Sequence, residues 1–157
     1  DTPSVVVAAK KLLGHGAKSV IIKKGEHGAL FFSKDCHFSA PSYPQENLKD
    51  PTGAGDSFAG GFIGYLAKSG DTGRENIKKA VIIGSVMASF NVEDFSLDRM
   101  RTLKEKEINA RFDEFIKFSR FECLRDTRQK AGQDKNGGER RGGRSSILLK
   151  NVPGAGC

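Results

Sequence analysis

One segment of the chain stands apart chemically: Asp50-Pro51-Thr52-Gly53-Ala54-Gly55-Asp56-Ser57-Phe58-Ala59-Gly60-Gly61. Three small residues, Gly53, Ala54 and Gly55, lead directly into a helical pattern. Absent or tiny side chains let a ligand approach the backbone closely. The first amides of a helix point outward unpaired, and the helix dipole adds partial positive charge there. Loop and helix start together form an anion site suited to phosphate. Asp56 falls in the first turn beside it. A carboxylate next to a phosphate pocket is electrostatically adverse, which points to a task such as accepting a proton from an attacking hydroxyl. The plainer alternative stays open: acidic residues favour first helical turns, and Gly53 and Gly55 also suit a structural turn. The segment is not a Walker A loop, because no Gly-Lys-Ser/Thr follows, and its glycine spacing is not that of a dinucleotide fingerprint.

The elements that must position this segment read as a mixed α/β pattern. Thr2 and Pro3 suit the start of a helix whose face is Val5, Ala8, Ala9, Leu12 and Leu13, ended by Gly14 and Gly16. The run Ser19 to Lys24 suits a buried strand, with Val20 to Lys24 inside a sheet. Gly25 and Gly28 bracket a tight turn, Ala29 to Ser33 is a second strand, and Cys36 to Ala40 a weaker third. Phe58, Phe62, Tyr65 and Leu66 mark a helix from about Gly55 to Lys68, closed by Ser69-Gly70. Thr72-Gly73-Arg74-Glu75 reads as a capping box opening the next helix. From Ile77 to Phe90 apolar residues occupy every face, so that helix is expected to be buried against the first strand. Thr102-Leu103-Lys104-Glu105 is a second capping box, before an amphipathic helix carrying Ile108, Phe112, Phe115 and Ile116.

The chain has 157 residues, the size of one domain. Hydrophobic residues are 37% and charged residues 29%, ordinary for a globular protein. No apolar run approaches the ~18 residues that span a bilayer, so no membrane partner is expected. No signal-peptide pattern and no initiator Met open the chain, which reads as a piece of something longer. Cys36, Cys123 and Cys157 fit neither zinc spacing nor a disulfide framework, so no protein-bound metal is expected and a reducing, cytoplasmic setting is the simplest reading. His15, His27 and His37 have no triad or metal spacing. Of the net charge of +7, +5 lies from Arg120 onward, where nine Lys and Arg face four Asp and Glu. From about Gln129 to Cys157 glycine alternates with charge, and that stretch is expected to be disordered. Arg140, Arg141 and Arg144 would be the basis of an RNA-binding arm, but no aromatic follows Phe121 to stack bases, so nucleic acid is not the expected partner.

The heptad Asp50-Pro51-Thr52-Gly53-Ala54-Gly55-Asp56 closely resembles the C-terminal signature of the PfkB carbohydrate kinases, the ribokinase-like family. Lys23-Lys24-Gly25-Glu26-His27-Gly28-Ala29 resembles that family's strand-turn-strand beside the nucleotide, and Gly84 to Phe90 its buried helix beside the adenine. The resemblance implies a three-layer α/β/α fold. Residues 1–119 would be the C-terminal, ATP-binding half of the kinase domain, and 120–157 a divergent basic, Gly-rich tail. The substrate pocket, the lid sheet and the first glycine-rich signature belong to a half not present here. The implied activity is ATP-dependent phosphorylation of a sugar or nucleoside hydroxyl. The alternatives are a non-catalytic nucleotide-binding remnant and a nucleic-acid-binding protein acting through the tail. Asp56 matches the catalytic base. Gly53, Ala54, Gly55 and the Asp56 amide match the anion hole. Lys24, Gly25, Gly28 and Ser85 fall at nucleotide-binding positions, Ser85 where many relatives carry Asn. Asp50 matches a position linked in several members to a monovalent cation such as K+. Mg2+ would bridge the ATP phosphates, held mostly by nucleotide and water, and the complete enzyme could be a homodimer.

Overall fold

The computed structural model describes residues 4–120. Thr2, Pro3, Cys123, Cys157 and the whole stretch read as a disordered tail lie outside them. In chain order the elements are α1 (Val5–Gly14), β1 (Ser19–Lys23), a 3-10 turn (Gly25–His27), β2 (Ala29–Ser33), β3 (His37–Ala40), α2 (Ala54–Ser69), α3 (Arg74–Asn91), α4 (Asp98–Thr102) and α5 (Glu105–Ser119).

The three strands form an antiparallel sheet in the order β1-β2-β3. Ile21 pairs with Phe31 and Lys23 with Ala29, while Phe31 pairs with Phe38 and Ala29 with Ala40. Side chains alternate across a strand. Ile21, Ala29, Phe31, Phe38 and Ala40 therefore share one face, and they join Phe58, Val81, Val86, Phe90 and Phe115 in the main core. Phe32, on the opposite face, is also buried, as is Ala9 of α1, and neither belongs to that core. Since α1 packs on β1, helices cover both faces, and the expected α/β/α layering holds.

The two long helices pack tightly because their contact is lined with small residues. A Cβ on Gly84 would stand 2.9 Å from the Phe58 carbonyl oxygen, and one on Gly61 2.6 Å from Met87 Cγ. Ala80, Val81, Ile82, Ser85, Val86, Ser89 and Phe90 of α3 are all buried, as expected of an all-round apolar helix.

Several sequence expectations need correction. The Val20–Lys24 segment is an edge strand, with Val20, Ile21 and Ile22 only half-buried. The fully sandwiched strand is β2, and α3 packs on β2 and β3. A short apolar run does not reveal whether its strand is central or lateral. The N-cap of α1 is Ser4, whose hydroxyl accepts from the Val7 amide at 3.4 Å. On α1's expected apolar face only Ala9 is buried, and Leu12 is 50% exposed. Gly73, not Thr72, caps α3, and Asp71 Oδ1 accepts from its amide at 2.7 Å. Thr102 ends α4, and the last helix is opened by Lys104, whose amide donates to Glu107 Oε2 at 3.0 Å. Thr72 still lies in the α2–α3 connection, and Thr102 is the last residue of α4.

Candidate active site

The loop before α2 is built by local hydrogen bonds. Asp50 Oδ1 accepts from the Thr52 amide at 2.9 Å, turning the chain back. The Asp50 carboxyl is held below its ordinary range, chiefly by that bond and then by the Thr52 hydroxyl and the Ser96 amide. The Ala54 amide donates to Pro51 O at 3.2 Å. Gly53 then caps α2 with φ of +83°, a left-handed conformation costly for any side chain. Its carbonyl accepts from the amides of Asp56 and Ser57 at 3.1 and 2.9 Å. Two amides of the expected anion hole, those of Ala54 and Asp56, are thus already engaged within the turn. Among the described residues the Gly55 amide has no acceptor.

A cavity of about 410 Å3 opens beside this loop. Gly25, Gly28, Ala54, Gly55 and Ser85, drawn from three distant stretches of sequence, all line it. Gly28 has φ of +84°, and a Cβ there would collide with the Ala40 carbonyl, so only glycine lets the β1–β2 turn lie this close to β3. Ser85 is buried, and its hydroxyl donates to Val81 O at 3.2 Å, leaving its lone pairs for an incoming donor. Lys24, Gly53, Asp50 and Asp56 are not among the lining residues. Lys24 and Asp56 are exposed, Asp56 in the first turn of α2.

The lysine that reaches the cavity is Lys23, which the sequence reading included in the strand-turn-strand stretch while giving the nucleotide-binding role to Lys24. Lys23 shares the core-side face of the sheet with Ala29, and Lys24 follows it out of register. Lys23 Nζ donates to the Gly55 carbonyl at 2.9 Å and forms no ion pair among the described residues. An ammonium at the positive end of a helix is electrostatically adverse unless an anion joins it. Alternation along the strand was the available signal, had the turn's register been known.

On the far wall the sequence reading had the α3 stretch containing Ser89 but missed Gln45 and the charged residues behind it. Gln45 and Ser89 line the cavity and are tied to each other, Gln45 Nε2 donating to Ser89 O at 3.1 Å and to Glu93 Oε1 at 3.2 Å. Behind them Arg111 donates to Ser89 Oγ and Glu93, and its guanidinium lies 3.5 Å over the Phe90 ring. Arg99 donates to the same Glu93. Burial pushes the Glu93 carboxyl up, but the donors from Arg111, Gln45 and Arg99 together outweigh it and hold it below its ordinary value. Tyr43, another lining residue, donates to Glu114 Oε2 at 2.6 Å, which raises its pKa. Among the described residues no three His, Cys, Asp or Glu gather as a metal cluster.

The arrangement can hold an elongated ligand, with an anionic end at Lys23 and the Gly55 amide and a flatter, less polar part between β2 and α3. The pattern of the pfkB family carbohydrate kinases matches residues 1–102. Deoxyribokinase of Salmonella typhimurium is 37% identical over 78 residues, 50% of this chain and 25% of that protein. Cytidine kinase of Thermococcus kodakarensis is 48% identical over 60 residues, 37% of this chain and 22% of that protein. The crystal structure of ribokinase from Thermotoga maritima superposes with a TM-score of 0.59 at 30% identity, over 73% of this chain and 35% of that one. Fructokinase from Vibrio cholerae shares the fold, with a TM-score of 0.62 at 20% identity over 69% of this chain and 35% of that one. The chain spans about a quarter of the length of the curated relatives it matches.

Proposed function

The chain belongs to the pfkB family of carbohydrate kinases, and on that premise we propose that residues 4–120 carry the nucleotide-binding side of an ATP-dependent phosphotransferase acting on a sugar or nucleoside hydroxyl. The observation that carries the reading is the convergence of the Gly25–Gly28 turn, the Gly55 helix start and Ser85 on one cavity.

Phosphoryl transfer passes through a loose, highly charged group, so the protein's work is positioning and electrostatic stabilisation. The Gly55 amide, the positive end of α2 and the Lys23 ammonium face the phosphate end of the cavity. They stabilise charge as it develops and need no rearrangement to do so. Gly55 lines the cavity while the next residue, Asp56, does not. In this reading the loop stands between donor and acceptor: nucleotide lies on the cavity side, and the acceptor hydroxyl comes from the exposed side, where Asp56 takes its proton. Gln45, Ser85 and Ser89 offer polar edges to the base. Mg2+, bound mostly to the nucleotide phosphates and water, would neutralise their charge. The Asp50 carboxylate, turned into the loop, suits a monovalent cation. A soluble cytoplasmic setting and a homodimeric complete enzyme accompany this reading. The chain's short span of its relatives supports a second one, nucleotide binding without transfer.

Binding of ADP and of adenosine by the chain, followed by calorimetry, tests the assignment. ADP is expected to bind more tightly than adenosine. Lys23→Met should weaken ADP about ten- to hundredfold, the range of a charge-assisted hydrogen bond, and leave adenosine unchanged. A folded chain that binds neither would remove the nucleotide reading. Equal losses for both ligands would make Lys23 a tether between β1 and α2.

A further inference from the structure

Apart from Lys23, the side chains lining the cavity keep no proton for a ligand. Ser42, Tyr43, Gln45, Ser85 and Ser89 all line it, and each turns its protons into the protein. The Ser42 hydroxyl donates to Glu26 O at 2.5 Å, Tyr43 to Glu114 Oε2 at 2.6 Å, Ser85 to Val81 O at 3.2 Å and Ser89 to Val86 O at 2.7 Å. Ser89 Oγ also accepts from Arg111. A hydroxyl has one proton, so these groups meet a ligand only as acceptors.

Gln45 decides the character of this wall. A side-chain amide presents a donor or an acceptor, depending on which way it is turned. Here Nε2 reaches three acceptors, Ser89 O at 3.1 Å, Glu93 Oε1 at 3.2 Å and Asn47 O at 3.4 Å. Turning the amide over would set its oxygen against two carbonyls and a carboxylate. That carboxylate is held as an acceptor by Arg99 and Arg111. Oε1 therefore occupies the other branch of the amide. Among the described residues it accepts no hydrogen bond, and it is not buried. One helical turn from Ser89 along α3, Ser85 Oγ is a second acceptor.

We infer that Gln45 Oε1, with Ser85 Oγ beside it, selects the nucleobase by its exocyclic amino group. An aminopurine donates to this wall, whereas an oxopurine sets oxygen against oxygen. The resemblance named ATP, but the choice between amino and oxo bases comes from Gln45, which lies outside every motif that carries the resemblance. The inference rests on the nucleotide reading of the cavity and names the base edge that the cavity takes. The remaining donors, Lys23 and the Gly55 amide, are at the phosphate end, so the two ends differ in hydrogen-bonding sense as the two ends of such a nucleotide do. A site built to bond an N–H rejects an analogue lacking it, because its own acceptors are then left unpaired.

The experiment measures, by calorimetry on the full chain, the dissociation constants of ADP, of purine riboside diphosphate, in which hydrogen replaces the amino group, and of inosine diphosphate. ADP is expected to bind about five- to fiftyfold more tightly than either. Gln45→Met is similar in length but lacks the acceptor. It should cut that ratio roughly threefold or more, by weakening ADP while leaving purine riboside diphosphate nearly unchanged. The ratio separates recognition from wall-building, since a purely structural Gln45 would weaken all three ligands alike. The wild-type comparison stands even where the variant does not fold. Equal affinities for ADP and purine riboside diphosphate, inosine diphosphate bound as tightly as ADP, or a Gln45→Met chain that keeps the full ratio would each overturn the inference and leave the nucleotide reading in place. Binding of none of the three would remove both.

Discussion

At the scale of single residues, Asp56 has two roles to separate. A helix-start aspartate and a general base occupy the same place, but they respond differently to an isosteric change. Asparagine is as good as aspartate near a helix start, so a purely structural role predicts little effect. A base loses its proton acceptor. In the complete enzyme Asp56→Asn is expected to lower kcat by about 10²–10⁴-fold, the usual contribution of general-base assistance, with ATP affinity nearly unchanged. Steady-state kinetics paired with ADP binding decides it: near-normal kcat in a folded variant would remove Asp56 from the chemistry. Lys23 shows the limit of reading residues from a string. Its neighbour Lys24 has the same side chain and the same sequence context, yet Lys23 alone lines the cavity.

At the scale of elements, the α2–α3 contact and the wall behind the cavity depend on different forces. The helix pair depends on close approach. Gly84→Ala should gain up to about 1 kcal/mol of helix propensity. The added methyl would stand 2.9 Å from the Phe58 backbone oxygen, which cannot swing aside as a side chain can. Overpacking of this kind costs about 1–3 kcal/mol, so the net effect is expected to be destabilising, measured as a lower urea midpoint. An unchanged or higher midpoint would show the helices free to separate. The wall depends on charge. Glu93 joins Arg99 and Arg111, so α3 is linked to α4 and α5. Because its pKa is lowered on folding, the stabilisation it brings is fully present above the unfolded glutamate value of about 4.3. It is lost as pH falls below that value toward the folded one. Melts between pH 3 and 6 should show Glu93→Gln losing less stability on acidification than the wild type. Parallel pH profiles would contradict this.

At the scale of the molecule, the described residues carry the cavity proposed to take a nucleotide and, exposed beside it, the proposed base Asp56. The chain nevertheless spans only about a quarter of its curated relatives' length. Val6, Val7 and Leu12 of α1, Ile63 of α2, and Phe95 and Leu97 before α4 stand exposed, apolar surface of the kind that mating elements cover. Orienting an acceptor against a donor can be worth about 7–11 kcal/mol of barrier. The chain on its own is therefore expected to bind ADP but to phosphorylate ribose, fructose phosphates or adenosine at no rate typical of a kinase. A coupled ADP-release assay checks this, and turnover of ~1 s⁻¹ or more would show that the acceptor site is contained in these 157 residues.

The sequence by itself determined what depends on neighbours along the chain. The glycine-rich loop running into α2, the positive-φ turn at Gly25 and Gly28, the buried character of α3 and the stop at Gly70 follow from local sterics and from a 3.6-residue apolar period, and all were legible. The heptad was specific enough to name a family before any coordinates. Only the tertiary structure decided which parts meet. Strand order put β1 at an edge and β2 at the centre, although both are short apolar runs. Register turned Lys23 inward and Lys24 outward. Gln45, Glu93, Arg99 and Arg111 belong to no motif, and with Ser89 they sit in four separate stretches, so their network became visible only once α3, α4 and α5 were packed. Asn91 reads in sequence as an ordinary polar residue at a helix end. Only packing shows it buried, with its Oδ1 facing Gly53 and without a hydrogen-bond partner among the described residues.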